Sequence, residues 1–461
     1  MSKHMPLDVR VAIERNNPSI WRDEDLCIKC GMCKRVCEND LAVHGRYDLA
    51  KTGDRAVCIY CGQCANVCPP SSIREVGEWE QVRAAIADPD AVVVVSTSPA
   101  VRVSAGELFG EEPGTFVQGK LISLLRALGF DYVLDTNFAA DLTIMEEANE
   151  LVERIQEGGK LPQFTSCCPA WVRYVETFYS ELRGNLSSAK SPIGMQGPTI
   201  KTYFAQREGI DPKRIVNVAL TPCTAKKFEI HREEMADAGK HMGIDGMRDM
   251  DHVITVRELG EWGHAAGIDW ESLSDDGAYD DLMGQASGAG VIFGNTGGVM
   301  EAALRTAHHM LIGEDAPANL LELESVRGYE GVRRATVELG GTSLEVAVIY
   351  GTTNARAFIE GERASGGTGL SAFQFVEVMA CPGGCIGGGG QPKRLGPAAD
   401  KARRARIAGL YERDRELPRR CSYENPQIQE LYRSFYGDPG SALAEEMLHT
   451  VYTDNSAELG A

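Results

Sequence analysis

Phe375 to Pro392 reads FVEVMACPGGCIGGGGQP, and the rest of the chain is organised around it. Its first five residues form a short, largely apolar and β-branched run, which predicts a buried strand over Phe375–Met379. Two cysteines four apart follow, Cys381 and Cys385, and then an unbroken run from Gly387 to Gly390. Glycine has no Cβ, so such a run lets backbone pass very close to a neighbour. Glycine runs also serve as flexible linkers. Paired cysteines carried on a buried strand argue against that use here.

Two other segments supply partners. FTSCCPAW, Phe164 to Trp171, holds the vicinal pair Cys167 and Cys168, and LTPCTAKKFE, Leu220 to Glu229, holds Cys223. One cysteine of the pair, Cys223, Cys381 and Cys385 make four thiolates, the ligand set of an iron–sulfur cubane. Either Cys167 or Cys168 is then left over beside it.

Closer to the N-terminus, eight of the 14 cysteines fall between Cys27 and Cys68. They form two matching runs, Cys27-x2-Cys30-x2-Cys33-x3-Cys37 and Cys58-x2-Cys61-x2-Cys64-x3-Cys68-Pro69. This is the bacterial ferredoxin pattern for two 4Fe–4S clusters, in which the fourth cysteine of each run serves the other cluster. Cluster one should use Cys27, Cys30, Cys33 and Cys68; cluster two should use Cys58, Cys61, Cys64 and Cys37. Glu38 stands where a proline often follows the first run. Paired CxxC units also suit zinc, but four cysteines per run with a trailing proline favour the clusters. Disulfides are disfavoured because the spacings are metal spacings.

A chain of 461 residues has the length for more than one domain and a large core. The net charge of −19 excludes the basic footprint that nucleic acid needs. Through Glu80 there are 11 basic and 12 acidic residues, so the acidity lies downstream and the front end suits an acidic electron carrier. MSKHMPLDVR lacks an export leader and no run is long and apolar enough to span a membrane, so the expectation is a cytoplasmic protein.

From Ala91 onward, strands alternate with helices. Val92–Val95 reads as a parallel strand covered on both faces. Further strands are expected at 215–219, 253–256 and 346–350, with helices at 144–156 and 298–308. Ser274 to Asp281 reads as a solvated acidic loop, Lys401 to Arg415 as an exposed charged helix, and Leu443, Met447 and Val451 as the packing face of a short terminal helix. Glu147, Glu150 and Arg154 share a helix face, as either a solvated stripe or a proton path.

Taken together, the three cysteine segments resemble the signatures of the iron-only (FeFe) hydrogenases, from about Val92 to the C-terminus. The resemblance implies a two-lobed α/β hydrogenase body with parallel and mixed sheets, at 81–461, with 395–461 as a helical wrap. A small α+β ferredoxin-like domain with two 4Fe–4S clusters occupies 1–80. The implied reaction is the reversible interconversion of dihydrogen with protons and electrons, which side chains cannot perform without a cofactor. That cofactor is the H-cluster: a cubane bridged by a cysteine to a two-iron unit with carbonyl, cyanide and azadithiolate ligands. By position its cubane ligands are Cys168, Cys223, Cys381 and Cys385, with Cys385 bridging. Cys167 exchanges protons with the bridging amine, supplied through Arg154, Glu150, Ser187 and Glu147. Lys226 donates to a cyanide, Pro99 makes a backbone contact, and Met379 and Phe293 line the two-iron unit. Lys227 reads as a surface lysine and Cys421 as a free thiol. Ser98 and Thr221 depart from the alanine and methionine usual in the family, adding two hydroxyls beside the two-iron unit. Implied partners are ferredoxin or a similar small carrier and the proteins that mature the H-cluster. A hydrogen-sensing relative, or an iron–sulfur assembly or carrier protein without the two-iron unit, are the alternatives.

Overall fold

The computed structural model describes residues 9–365 and 369–460. The polar N-terminus on which the absence of an export leader was judged lies, through residue 8, outside the described residues. Ten strands occupy β1 Ile20–Arg22, β2 Ile73–Glu75, β3 Val92–Thr97, β4 Tyr132–Asp135, β5 Gln163–Phe164, β6 Ile215–Thr221, β7 His252–Thr255, β8 Val332–Leu339, β9 Thr342–Tyr350 and β10 Phe375–Met379. Among the described residues no helix is long and apolar enough to cross a membrane.

The front end is built by its cysteine loops. β1 and β2 pair antiparallel, bringing Ile20 opposite Glu75 and closing the two runs into one unit. Each run curls in the same way. Lys29 and Tyr60 have φ of 54° and 62°, and the following Gly31 and Gly62 have φ of 78° and 70°. A short helix then starts, Met32–Asn39 in one run and Gln63–Asn66 in the other. Left-handed residues on either side of a cysteine turn backbone amides inward, an arrangement suited to an anionic group. Lysine and tyrosine adopt that conformation only where the surroundings impose it.

The body contains two sheets. In the first, the order is β4-β3-β6-β7 and every pair is parallel. β3 and β6 are central, which explains why VVVVST and IVNVALT are buried nearly throughout. The second runs β5-β10-β9-β8; β10 is parallel to both neighbours, while β8 and β9 form an antiparallel hairpin. Its turn is Gly340-Gly341, both at positive φ (59° and 79°), the geometry that matches strand twist in a two-residue hairpin. At the carboxyl ends of β3, β4, β6 and β10 the chain passes directly into Ser98-Pro99, Thr136, Pro222-Cys223 and Ala380-Cys381. Ligand sites in open parallel sheets form at these ends.

Three expectations from sequence are revised. The charged helix Pro397–Glu416 buries one face, with Arg406 and Asp414 inside. Asp414 pairs with Arg305 at 3.0 Å and Arg420 at 2.6 Å, and Arg305 also holds Glu301 at 2.6 Å. Charge alone misled because buried ion pairs look like a solvated stripe in sequence. The acidic loop is exposed at Ser274–Asp276, yet Asp280 is tied to Arg126 at 2.6 Å and Tyr279 to Thr97 at 2.6 Å. In the terminal helix Met447 is buried, whereas Val451 is exposed.

The Arg305 cluster ties the helix Gly298–Ile312 to the C-terminal segment with charges wholly removed from water. Arg305→Met is expected to leave Glu301 and Asp414 short of a cation and to cost roughly 3–5 kcal/mol, because an uncompensated buried charge is more expensive than the pair was worth. A fall in the urea midpoint of unfolding measures it.

Candidate active site

All three body cysteine segments meet between the sheets. Cys168 and Cys381 are buried, and Cys223 and Cys385 are half-buried. The Cys168 Sγ accepts from the Ala380 N–H at 3.5 Å, linking the vicinal pair to the end of β10. In the bare chain, burial first and neighbouring thiols second push Cys381 far up, with Cys223 and Cys168 among those neighbours. Cys223 reaches about 11 by burial and by its proximity to Cys168. Four thiols that hold their protons this firmly ionise only against a strongly cationic centre. This donor set therefore fits an iron–sulfur cubane.

Beside these thiols lies a largely apolar cavity. Cys167, Cys223 and Cys385 face it, with Lys226, Pro99 and Phe293. Both departures, Ser98 and Thr221, also line it. The Thr221 hydroxyl is already engaged: it accepts from the Cys223 N–H at 2.8 Å and lies 3.2 Å from the Cys223 carbonyl oxygen. It thus shapes the ligand turn rather than offering itself to the cavity. Met379, expected as lining, is buried at the end of β10 and is not among the cavity residues. Ile193, Thr136 and Ala140 are, and no sequence signal marked them. Lys226 bonds the Cys167 carbonyl at 3.1 Å and Glu229 at 2.8 Å. Lys227 is fully buried rather than on the surface, held by Glu78 at 3.1 Å and Glu258 at 3.1 Å. Cys421 is buried away from the other thiols, and burial pushes it up to about 11.

At the front end, Cys37, Cys58, Cys61 and Cys64 line one small apolar cavity. Cys30 is exposed and Cys27 partly so. The glycine run abuts the second cysteine loop. A Cβ on Gly389 would meet the Cys61 carbonyl oxygen at 2.2 Å and the Gly62 Cα at 2.8 Å. Gln63 and Asn66 donate to the carbonyls of Gly387 and Gly388 at 2.9 and 3.0 Å. Arg257 fastens the junction through Glu75, Asn66 and the Gly389 carbonyl. Cys61 is close enough to Cys381 to be its first charged neighbour.

One helix, Thr136–Glu157, carries the acidic stripe. Thr136, Ala140, Glu147, Glu150 and Arg154 fall on one face, which at 1.5 Å per residue extends about 27 Å. Arg154 bonds Glu150 at 2.6 Å, and Ser187 donates to the other Glu150 oxygen at 2.6 Å. Glu147 is fully buried, its carboxyl oxygens meet no side-chain partner among the described residues, and the Ser166 backbone N–H faces it and works against the rise in its pKa. Burial, then repulsion from Glu150 and Glu377, raises it to about 8. Three expected relay groups are thus joined, while Glu147 stands apart between them and Cys167.

Comparison with known proteins places these features. The model described as iron only hydrogenase large subunit, C-terminal domain, matches 91–389; iron hydrogenase small subunit matches 400–455; and 4Fe-4S dicluster domain matches 19–70. Iron hydrogenase 1 of Clostridium pasteurianum is 42% identical over 462 residues, 97% of this chain and 78% of that protein. Protein NAR1 of Arabidopsis thaliana is more distant, 30% identical over 376 residues, covering 78% of this chain and 77% of that protein. The structure of apo [FeFe]-hydrogenase HydA1 from Chlamydomonas reinhardtii matches with TM-score 0.71 and 39% identity over 82% of this chain and 100% of that one.

Two predictions follow from the geometry. Gly389→Ala should force the glycine run away from the Cys61 loop at a cost of roughly 1–3 kcal/mol, seen as a lower thermal midpoint. Glu147 carries its proton below about 8. Proton reduction should therefore be fastest below that pH and decline above it, and Glu147→Gln should be slow and lack this decline. The raised value also means that Glu147 lowers stability as pH climbs from the ordinary carboxyl range to about 8. Denaturant titrations across that window should show the slope in the parent and its loss in the Gln variant.

Proposed function

The chain belongs to the iron-only hydrogenases, and from that membership we propose which of its residues hold the cofactors and move the protons. It catalyses the reversible reaction H2 = 2 H+ + 2 e−, using two 4Fe–4S clusters and the H-cluster. When bound, the two-iron unit supplies an electrophilic iron and an adjacent amine base, chemistry that no side chain provides.

Cys168, Cys223, Cys381 and Cys385 would hold the cubane, with Cys385 the thiolate that would also anchor the two-iron unit. The observation that carries this reading is the cavity beside four mutually neighbouring thiols, walled by Pro99 and Phe293 and entered by Lys226. An assembly factor needs the cubane thiols but not that space, so the NAR1-like alternative leaves the cavity without a use. Lys226 offers an ammonium proton to an anionic cyanide, held in position by Glu229. Cys167, facing the cavity, would hold the proton at its Sγ for exchange with the bound group. Arg154, Glu150 and Ser187 bring protons from the surface, and Glu147 carries them across the apolar interior as a neutral carboxyl. Ser98 offers a hydroxyl with no hydrogen bond among the described residues, whereas Thr221 sets the Cys223 turn.

Cys27, Cys30, Cys33 and Cys68 would hold cluster one and Cys58, Cys61, Cys64 and Cys37 cluster two, and these clusters would supply electron transfer toward the cubane thiols. The Cys61–Gly389 contact, where glycine keeps backbone against backbone, joins the two sites. A ferredoxin-like carrier docks at cluster one. Trp21, Leu26 and Ile28 are exposed there, the last by 64%, on a front end of nearly balanced charge. Dedicated maturation proteins install the two-iron unit, and the compartment is the cytoplasm.

Infrared spectroscopy of matured protein, together with a hydrogen turnover assay, tests the assignment. Carbonyl and cyanide stretches are expected in the parent. Cys385→Ser should abolish them, since an alkoxide bridges low-valent irons poorly, while the front-end clusters stay in place. Cys167→Ser should keep every band and lose most turnover, because a serine hydroxyl is far less acidic than a thiol. Normal bands in the first variant or normal rates in the second would overturn the corresponding role.

A further inference from the structure

Thr136 is the first residue of the helix Thr136–Glu157 and lines the cavity, with Ala140 one turn further on. It is 2% exposed, and its Oγ1 is buried with no hydrogen-bond partner among the described residues. Buried hydroxyls are almost always satisfied, so an orphan demands an explanation. A threonine inside a helix usually returns its hydroxyl to a carbonyl three or four residues back. Thr136 has no helical turn behind it, because β4 ends at Asp135.

The polar groups nearby are committed elsewhere, except the Ser98 hydroxyl, which lines the same cavity but makes no hydrogen bond to Thr136. Asp135 accepts from the Asn137 N–H at 2.6 Å and pairs with Arg102. Thr221 serves Cys223, and Lys226 serves Glu229 and the Cys167 carbonyl. Pro99, Ala100, Ala140 and Phe293 make the surrounding wall largely apolar. The missing acceptor therefore has to come from whatever fills the cavity.

We propose that the Thr136 hydroxyl is a hydrogen-bond donor to the two-iron unit, directed at the outer ends of its diatomic carbonyl or cyanide ligands. The inference rests on the reading of the cavity as that unit's site. No proton is transferred; the hydroxyl polarises the ligand it meets, draws electron density from the irons and shifts the balance of their oxidation states. Thr136 is thus a tuning contact at the inner end of the helix whose outer end takes up protons. Ala140, one turn along, leaves it uncrowded.

The test is infrared spectroscopy of matured, full-length parent, Thr136→Ser and Thr136→Val, with redox titration of the same bands. Thr136→Ala serves if the valine variant does not accumulate. Expected is a shift of at least one carbonyl or cyanide stretch in the valine or alanine variant and parent-like bands in the serine variant. Turnover should change by roughly two- to tenfold, the span of an ordinary hydrogen bond. Before the two-iron unit is installed, Thr136→Val should be at least as thermostable as the parent, because an unsatisfied group has been removed. Unshifted bands and unchanged redox midpoints in the valine variant would overturn the proposal. So would a loss of stability in that form without the two-iron unit, since it would reveal a partner within the protein. A parent without carbonyl or cyanide bands would instead overturn the reading of the cavity itself.

Discussion

Burying four sulfurs within one another's field is the constraint to which the rest of this structure answers. As bare thiols, burial and mutual repulsion hold them protonated; as thiolates they would be ruinous without a cationic centre among them. The sheets resolve this by geometry. Three segments leave strand ends or follow them closely, and strands are stiff enough to hold thiols apart at the spacing a cluster needs. Backbone flexibility is confined to glycine, at Gly387–Gly390, where approach rather than mobility is required.

On the proposed reading, electrons and protons have separate doors. The glycine run faces the ferredoxin-like unit, with Gln63, Asn66 and Arg257 stitching the two together. The helix Thr136–Glu157 leads away from the cavity, ending at Arg154 and capped by Gly158 at φ 81°. A single rigid rod fixes both the distance from cavity to surface and the register of the groups along it. Among the acidic residues of that face, Glu147 is the one whose protonation burial controls most strongly.

Much of this was legible in sequence because cysteine spacing and glycine runs are local patterns. The two ferredoxin runs, β3, β6, β9 and β10, and the three cavity segments could all be read directly. Thr136 could not, because a threonine after a four-residue strand carries no periodic signal; its importance comes from what β4 and the helix point toward. The β8–β9 hairpin is not evident from sequence although Gly340-Gly341 sits between its strands, since the charged Arg333 on the buried face of β8 breaks the alternation. Lys227 and Asp414 were misjudged for a common reason: sequence reports a charge but not the opposite charge that comes from a distant segment. The same blindness hid the occupation of the Thr221 hydroxyl by its own chain two residues on.

The Arg305–Asp414 cluster joins a segment matching the large-subunit model to one matching the small-subunit model, both here on one polypeptide. Covalent continuity turns what would be association between molecules into an intramolecular event, with an effective concentration in the millimolar range or above. Closure of that joint is then independent of how much protein the cell makes. The C-terminal wrap can rest on desolvated charges, which separate chains would have to strip of water at every encounter, without risking dissociation on dilution.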